Sequence, residues 1–101
     1  MEIMVEGHTY KLECFEGGYP QVLQFIRKVE GKERGSLVTL VDGTTNEEVL
    51  TVLIDRLNYL NQKLPSRQTA IAITKCQEAL FWLQNRTVDR VYRGVEGTHK
   101  P

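Results

Sequence analysis

The hydrophobic pattern of this chain changes period once, near residue 42. Before that point it favours strands. "EIMVEG" and "HTYKLECF" flank a turn at Gly7, and Tyr10, Leu12 and Cys14 alternate with Lys11 and Glu13. Such alternation sends successive side chains to opposite faces of a pleated strand. "GGYP" interrupts the chain. "QVLQFIRKV" and "SLVTLV" follow as two more β-rich runs, joined by the polar, glycine-bounded "EGKERG". The pattern predicts two hairpins, a small antiparallel β portion over residues 1–41.

After Asp42-Gly43, itself a turn signal, the repeat becomes helical. Thr45 followed by Glu48 is a capping box, and Asn46, Glu47 and Glu48 suit the positive end of a helix dipole. Thr44, Thr45 and Asn46 are read as turn and cap. Val49, Leu53, Leu57, Leu60 and Leu64 recur at helical spacing. Pro65 disfavours helix in the residue before it, so the first helix ends near Leu64. Ser66 caps a second helix, whose stripe is Ile73, Cys76, Leu80 and Leu83 and whose stop is Gly94. That helix is about 27 residues and about 40 Å long at 1.5 Å per residue. So short a link predicts an antiparallel helical hairpin over residues 44–93. The fold class expected is therefore α+β, a single domain of 101 residues whose tail is "GVEGTHKP". A helix this long outreaches a small domain, and part of it is expected to meet another subunit.

Composition narrows the class. Apolar residues are 41% and charged residues 26%, as in ordinary soluble domains. No apolar run approaches the roughly 18 residues that a membrane span needs. The start, "MEIMVEGHTYK", is acidic and lacks the apolar core of a signal peptide, so a cytoplasmic location and no membrane partner are expected. Cys14 and Cys76 lack a CxxC spacing and are expected to be buried or half-buried thiols.

Net charge is zero but unevenly spread. Residues 1–65 carry seven Lys/Arg against ten Asp/Glu, and residues 66–101 carry six against three. This mild basic excess falls short of the many phosphate contacts of a general nucleic-acid binder. It is enough for a small anion held by a few arginines.

No catalytic set, metal site or cofactor motif stands out. His8 and His99 lie far apart without Cys or Asp at ligand spacing, and neither a Walker loop nor GxGxxG occurs. Arg86, Arg90 and Arg93 fall at i, i+4 and i+7 along one helix face, with Asp89 beside them. Two readings compete: an anion clamp, and a solvated helix end that complements the dipole. Phe81 and Trp82 point about 100° apart on a helix, so one is expected in the core and the other at an interface or a ligand. Arg67 sits in the first turn of the second helix, where a cation opposes the dipole and hints at a ligand or partner.

"PSRQTAIAITKCQEALFWL" adds a resemblance. It is similar to the pattern P-S-R-E, an apolar-small run, T-K-L-E-E-A, then W, found in the helical hairpin of phage proteins that sequester cyclic oligonucleotides of CBASS defence. Pro65, Ser66, Arg67, Thr74, Lys75, Glu78, Ala79 and Trp82 match, while Gln68, Cys76 and Gln77 depart. The preceding strands, "DGTTNEEVL" and the ending "RGVEGTHKP" resemble the phage Thoeris anti-defence family, which shares the hairpin. The resemblance implies a non-catalytic sponge, without cofactor, that binds glyco-cyclic ADP-ribose made by a TIR enzyme. It implies cyclic di- or trinucleotides of CBASS as further ligands. It also raises the expected homo-oligomer from at least a dimer to a hexamer of three dimers. The alternative is a phage accessory module with a structural or nucleic-acid-binding role. For a sponge, Arg86, Arg90 and Arg93 are expected on phosphate and Arg67 at a second, inter-subunit basic position. Thr74 and Asn85 are expected at base or ribose edges, Phe81 stacked on a base, and Thr98 and His99 closing over the ligand. In that arrangement Trp82 takes the core side.

Overall fold

The computed structural model describes residues 1–94 and Thr98. They form an α+β chain of five strands followed by two helices: β1 (Glu2–Val5), β2 (Thr9–Leu12), β3 (Gln21–Gln24), β4 (Arg27–Glu30), β5 (Leu37–Val41), α1 (Asn46–Lys63) and α2 (Arg67–Tyr92). Two compact units result. One is the β unit, Met1–Thr45, which also holds Thr98; the other is helical and begins at Asn46.

In the β unit, β1, β2 and β3 form an antiparallel sheet in that order, and β4 pairs with β5 separately. The register sets Ile3 opposite Tyr10 and Tyr10 opposite Leu23. Successive side chains alternate faces, so these three share one face. Tyr10 meets Phe25 edge-on, with ring centroids 5.9 Å apart. On the opposite face Thr9 donates to Gln24 Oε1 at 2.7 Å, and Gln24 Nε2 donates to the Phe25 carbonyl at 2.7 Å.

The run "QVLQFIRKV" was expected as one strand. It divides at Phe25 and Ile26 because the backbone changes partners there. The Phe25 N–H donates to the His8 carbonyl at 2.8 Å, but the Ile26 N–H donates to Thr44 at 2.9 Å, and Thr44 N–H returns to Gln24 at 2.9 Å. Thr44 thus forms a parallel bridge to Phe25 rather than only a turn. Gly43 makes this possible. A Cβ there would stand 2.5 Å from the Gln24 carbonyl oxygen, inside contact distance, so only glycine fits without movement.

The helical unit follows the predicted punctuation. Helix α1 begins directly after Thr45, carries Glu47 and Glu48 in its first turn, and stops at Lys63 before Leu64-Pro65. Ser66 caps α2: in an extended conformation its hydroxyl accepts from the Thr69 N–H at 3.0 Å, and its own N–H donates to Asn61 Oδ1 at 3.0 Å. The Leu64 N–H donates to the Leu60 carbonyl at 3.0 Å, so both ends of the three-residue link, 64–66, are tied down. At the far end the Gly94 N–H donates to Val91, closing the helix where a stop was expected.

The two helices pack together. On α2 the inward stripe is the expected one: Ile73 is buried, and Cys76, Leu80 and Leu83 are half-buried. On α1 the stripe differs. Of the expected positions Val49 and Leu57 are half-buried, together with Leu50, Ile54 and Asn61, whereas Leu53, Leu60 and Leu64 are exposed. Helix α1 carries apolar residues on more than one face, so spacing alone admits two stripes, and the second is uncovered in a single chain. Both cysteines are free and half-buried, as expected. Among the described residues, Ile73 is the one buried apolar side chain, at 7% exposure.

Candidate ligand-binding face of the helical hairpin

Helix α2 positions most of the residues singled out by sequence. At 100° per residue, Arg67, Thr74, Phe81 and Asn85 fall within about 40° of one another, opposite the stripe headed by Ile73. All four are exposed. The rise of 1.5 Å per residue puts Arg67 about 27 Å from Asn85 along the axis, so one small ligand cannot touch both. The candidates divide into a group at the start of α2 and a group at its end.

At the start, Arg67, Ala70, Ile71, Thr74 and Lys75 line a surface groove of about 300 Å³. Thr74 belongs here with Arg67, not with Asn85. Its hydroxyl donates to the Ala70 carbonyl at 3.2 Å, which leaves the oxygen able to accept. Lys75 is the residue that sequence reasoning passed over as a ligand contact. Its spacing from Arg67 and Ile71 was the available signal, since i, i+4 and i+8 share a helix face. Its ammonium lies 3.7 Å from Glu78 in an exposed pair, too solvated to immobilise it. The groove joins two cations, a hydroxyl and the apolar flank of Ile71. That combination can take an anionic group beside a flat or aliphatic one.

At the end of α2 the three arginines are not equivalent. Arg86 is exposed. Arg93 is the C-cap residue, and its Nε donates to Asp89 Oδ2 at 3.0 Å. Arg90 was expected to be an exposed helix-end side chain, but it is buried, at 6% exposure. Its position accounts for this: on the helical wheel it lies between the Arg86 direction and the inward stripe. The long stem of arginine can fill that flank while its guanidinium is paired.

Of the pair Phe81 and Trp82, one was expected in the core, and for a sponge that one was Trp82. Neither is core: they are 58% and 65% exposed and touch edge-on at 5.4 Å. With Val88, Val91 and Tyr92, all exposed, they give the second half of α2 a broad apolar surface. Thr98 lies in the β unit and forms an antiparallel bridge with Ser36. His99 lies outside the described residues. No cluster of three or more His, Cys, Asp or Glu that could hold a metal occurs among the described residues, nor a helix long and apolar enough to cross a membrane.

A small β unit followed by a capped two-helix hairpin, with cations and aromatics along the outer face of its second helix, makes this an α+β chain. The chain belongs to the Acb2/Tad1 hairpin domain family, whose profile matches residues 26–88. The match starts at Ile26, so it takes in β4 and β5 as well as the helices, and it ends before Arg90 and Arg93. The chain is also similar to a protein of Bacillus phage SBSphiJ7 called Thoeris anti-defense 1, with 48% identity over 60 residues. That segment is 58% of this chain and 42% of the phage protein, so this chain covers well under half of its relative.

Proposed function

We propose that this chain serves phage anti-defence as a sponge: it binds a cyclic ADP-ribose isomer, glyco-cyclic ADP-ribose, and withholds it from its effector without altering it. The observation that carries this reading is membership of the hairpin family, supported by the likeness to a protein named for Thoeris anti-defence. Cyclic di- and trinucleotides are secondary ligands of the same kind. The site of action is the host cytoplasm.

Physical requirements support an oligomer. Nanomolar binding is worth about 12 kcal/mol, and a small ligand gains that only when largely enclosed. Every residue lining the Arg67 groove is exposed in the single chain. A second copy supplies the missing wall, and the exposed apolar face of α2 supplies its adhesion. We therefore assign at least a dimer, with a hexamer as the assembly that the family resemblance implies. Arg67, Thr74 and Lys75 hold one anionic group, and Arg86 and Arg93 with Asn85 and Phe81 take another ligand or another part of the same one.

Calorimetry with glyco-cyclic ADP-ribose tests the proposal, followed by heat release and chromatography of the ligand. Intact ligand recovered after tight binding is the expected result. A cleaved product would make the protein an enzyme. No heat, together with salt-sensitive binding to DNA, would favour a nucleic-acid module instead.

A further inference from the structure

Seven Asp and Asn residues occur in the chain, and six of them lie within α1 or α2. There the main chain is fixed in helical geometry, and each of the six is followed by a residue with a large side chain. Asp42 is the exception. It stands just past Val41, the last residue of β5, so it lies outside the β4–β5 ladder, and it is exposed. Its successor is Gly43, whose N–H donates to Asp42 Oδ1 at 2.9 Å.

That hydrogen bond runs to the neighbouring side chain. The next N–H along, that of Thr44, goes instead to a main-chain partner, the Gln24 carbonyl. The Asp42 carboxyl group is thereby held against the Gly43 nitrogen, and Gly43 has no Cβ to obstruct their approach. Two groups able to react with each other are kept in contact, and orientation of this kind replaces a chance encounter.

We propose that Asp42-Gly43 is a site of spontaneous backbone rearrangement, at which aspartate converts to isoaspartate through a cyclic imide. The Gly43 nitrogen attacks Cγ of the protonated Asp42 carboxyl group. A C–N bond forms, the Cγ–OH bond breaks, and the hydroxyl leaves with the amide proton as water. The five-membered ring holds the Gly43 nitrogen with the main-chain carbonyl carbon, Cα, Cβ and Cγ of Asp42. Water then adds to one of its two carbonyls. Opening at Cγ restores aspartate. Opening at the main-chain carbonyl leaves the chain running through Cβ and Cγ, with a free α-carboxylate. The water lost is returned, so no oxidant, reductant or other co-reactant is consumed. The inference is independent of the ligand assigned above.

The location gives this change a consequence. Isoaspartate adds a methylene to the main chain immediately before Gly43, which already lies against the backbone of Gln24 and Phe25. Thr44 is bonded on both sides, donating to Gln24 and accepting from Ile26. The lengthened chain displaces the parallel bridge between Phe25 and Thr44. All of these groups belong to the β unit.

The test incubates the full chain warm and assays isoaspartate with an isoaspartyl methyltransferase and a labelled methyl donor. Peptide mass spectrometry locates the label. It should collect on the peptide holding Asp42 and not on those holding Asp55 or Asp89. Asp42→Asn, which closes the same ring by losing ammonia, should gain label there too. Asp42→Glu needs a six-membered ring and should gain roughly a tenth of the parent's label or less. Asp42→Ser keeps a hydroxyl for Gly43 but has no carbonyl carbon, and should gain none. The folded parent should gain label within about tenfold of its rate in urea, because the hydrogen bond already holds the two groups together. A larger drop would mean that the fold shields the Gly43 nitrogen, and it overturns the proposal. Label on Asp55 or Asp89 instead, or equal label in the parent and Asp42→Ser, overturns it as well. The isoaspartate form, separated by chromatography, should unfold at lower urea than the parent, and an equal midpoint would overturn the displacement of the bridge.

Discussion

Gly43 lies against the backbone of Phe25, where an added Cβ would come within 2.6 Å of the Phe25 carbonyl carbon. The neighbours it meets are main-chain atoms, which cannot swing aside as a long side chain does. Gly43→Ala should force the Thr44 bridge open and lower stability by about 1–3 kcal/mol, as overpacking usually does. Urea unfolding reads this directly. A midpoint equal to that of the parent would show that the bridge yields freely.

Arg90 and Arg86 separate by burial. Arg90→Ala removes a buried stem and a paired guanidinium, and we expect a loss of about 1–3 kcal/mol in stability. Arg86 is exposed, and Arg86→Ala should stay within about 0.5 kcal/mol of the parent. Thermal melts of the two variants side by side decide the point. Equal melting would mean that the burial of Arg90 is not felt in solution. A loss of ligand affinity in Arg90→Ala must therefore be read against its folded fraction.

Ser66→Ala deletes the hydroxyl that accepts from Thr69 N–H and should destabilise the hairpin by about 1 kcal/mol. Ser66→Asp, which keeps an acceptor at the cap, should recover most of that loss. Circular dichroism during heating measures both. Indifference to Ser66→Ala would place the hold on the link in Asn61 alone.

Assembly should appear in the melting temperature. One buried apolar side chain among the described residues is a meagre core for 101 residues. If a second copy completes it, the midpoint must rise with protein concentration, since only the folded state associates. Light scattering at micromolar concentration should give at least the mass of a dimer. A monomer mass with a concentration-independent melt would overturn the oligomer proposal.

The helices were legible because their signals are local. Ser66 and Gly94 mark ends through bonds spanning a few residues, Pro65 through the conformation it imposes on its neighbour, and the Ile73 stripe follows from period alone. The break in "QVLQFIRKV" was not legible. It depends on Thr44, a partner distant in sequence, and on close contact at Gly43, which a Gly in a turn dipeptide does not announce. The α1 stripe held at Val49 and Leu57 and missed at Leu53, Leu60 and Leu64 for another reason: a helix apolar on two sides offers two phases, and periodicity does not rank them. The candidate residues on α2 could be placed on a helix face from sequence, because the helix itself was expected. The distance from Arg67 to Asn85 was legible too, since the second helix was expected to run unbroken, but the groove that joins Arg67, Thr74 and Lys75 was not. Burial of Arg90 was invisible to a rule that treats every helix-end arginine alike.

Trp82 is the chain's single tryptophan, 65% exposed and in edge contact with Phe81. An indole left in water emits toward the red, and one covered by apolar groups emits toward the blue. The outer face of α2 therefore carries its own optical reporter. Dilution, ligand and crowding can all be followed from the unlabelled protein, by colour alone.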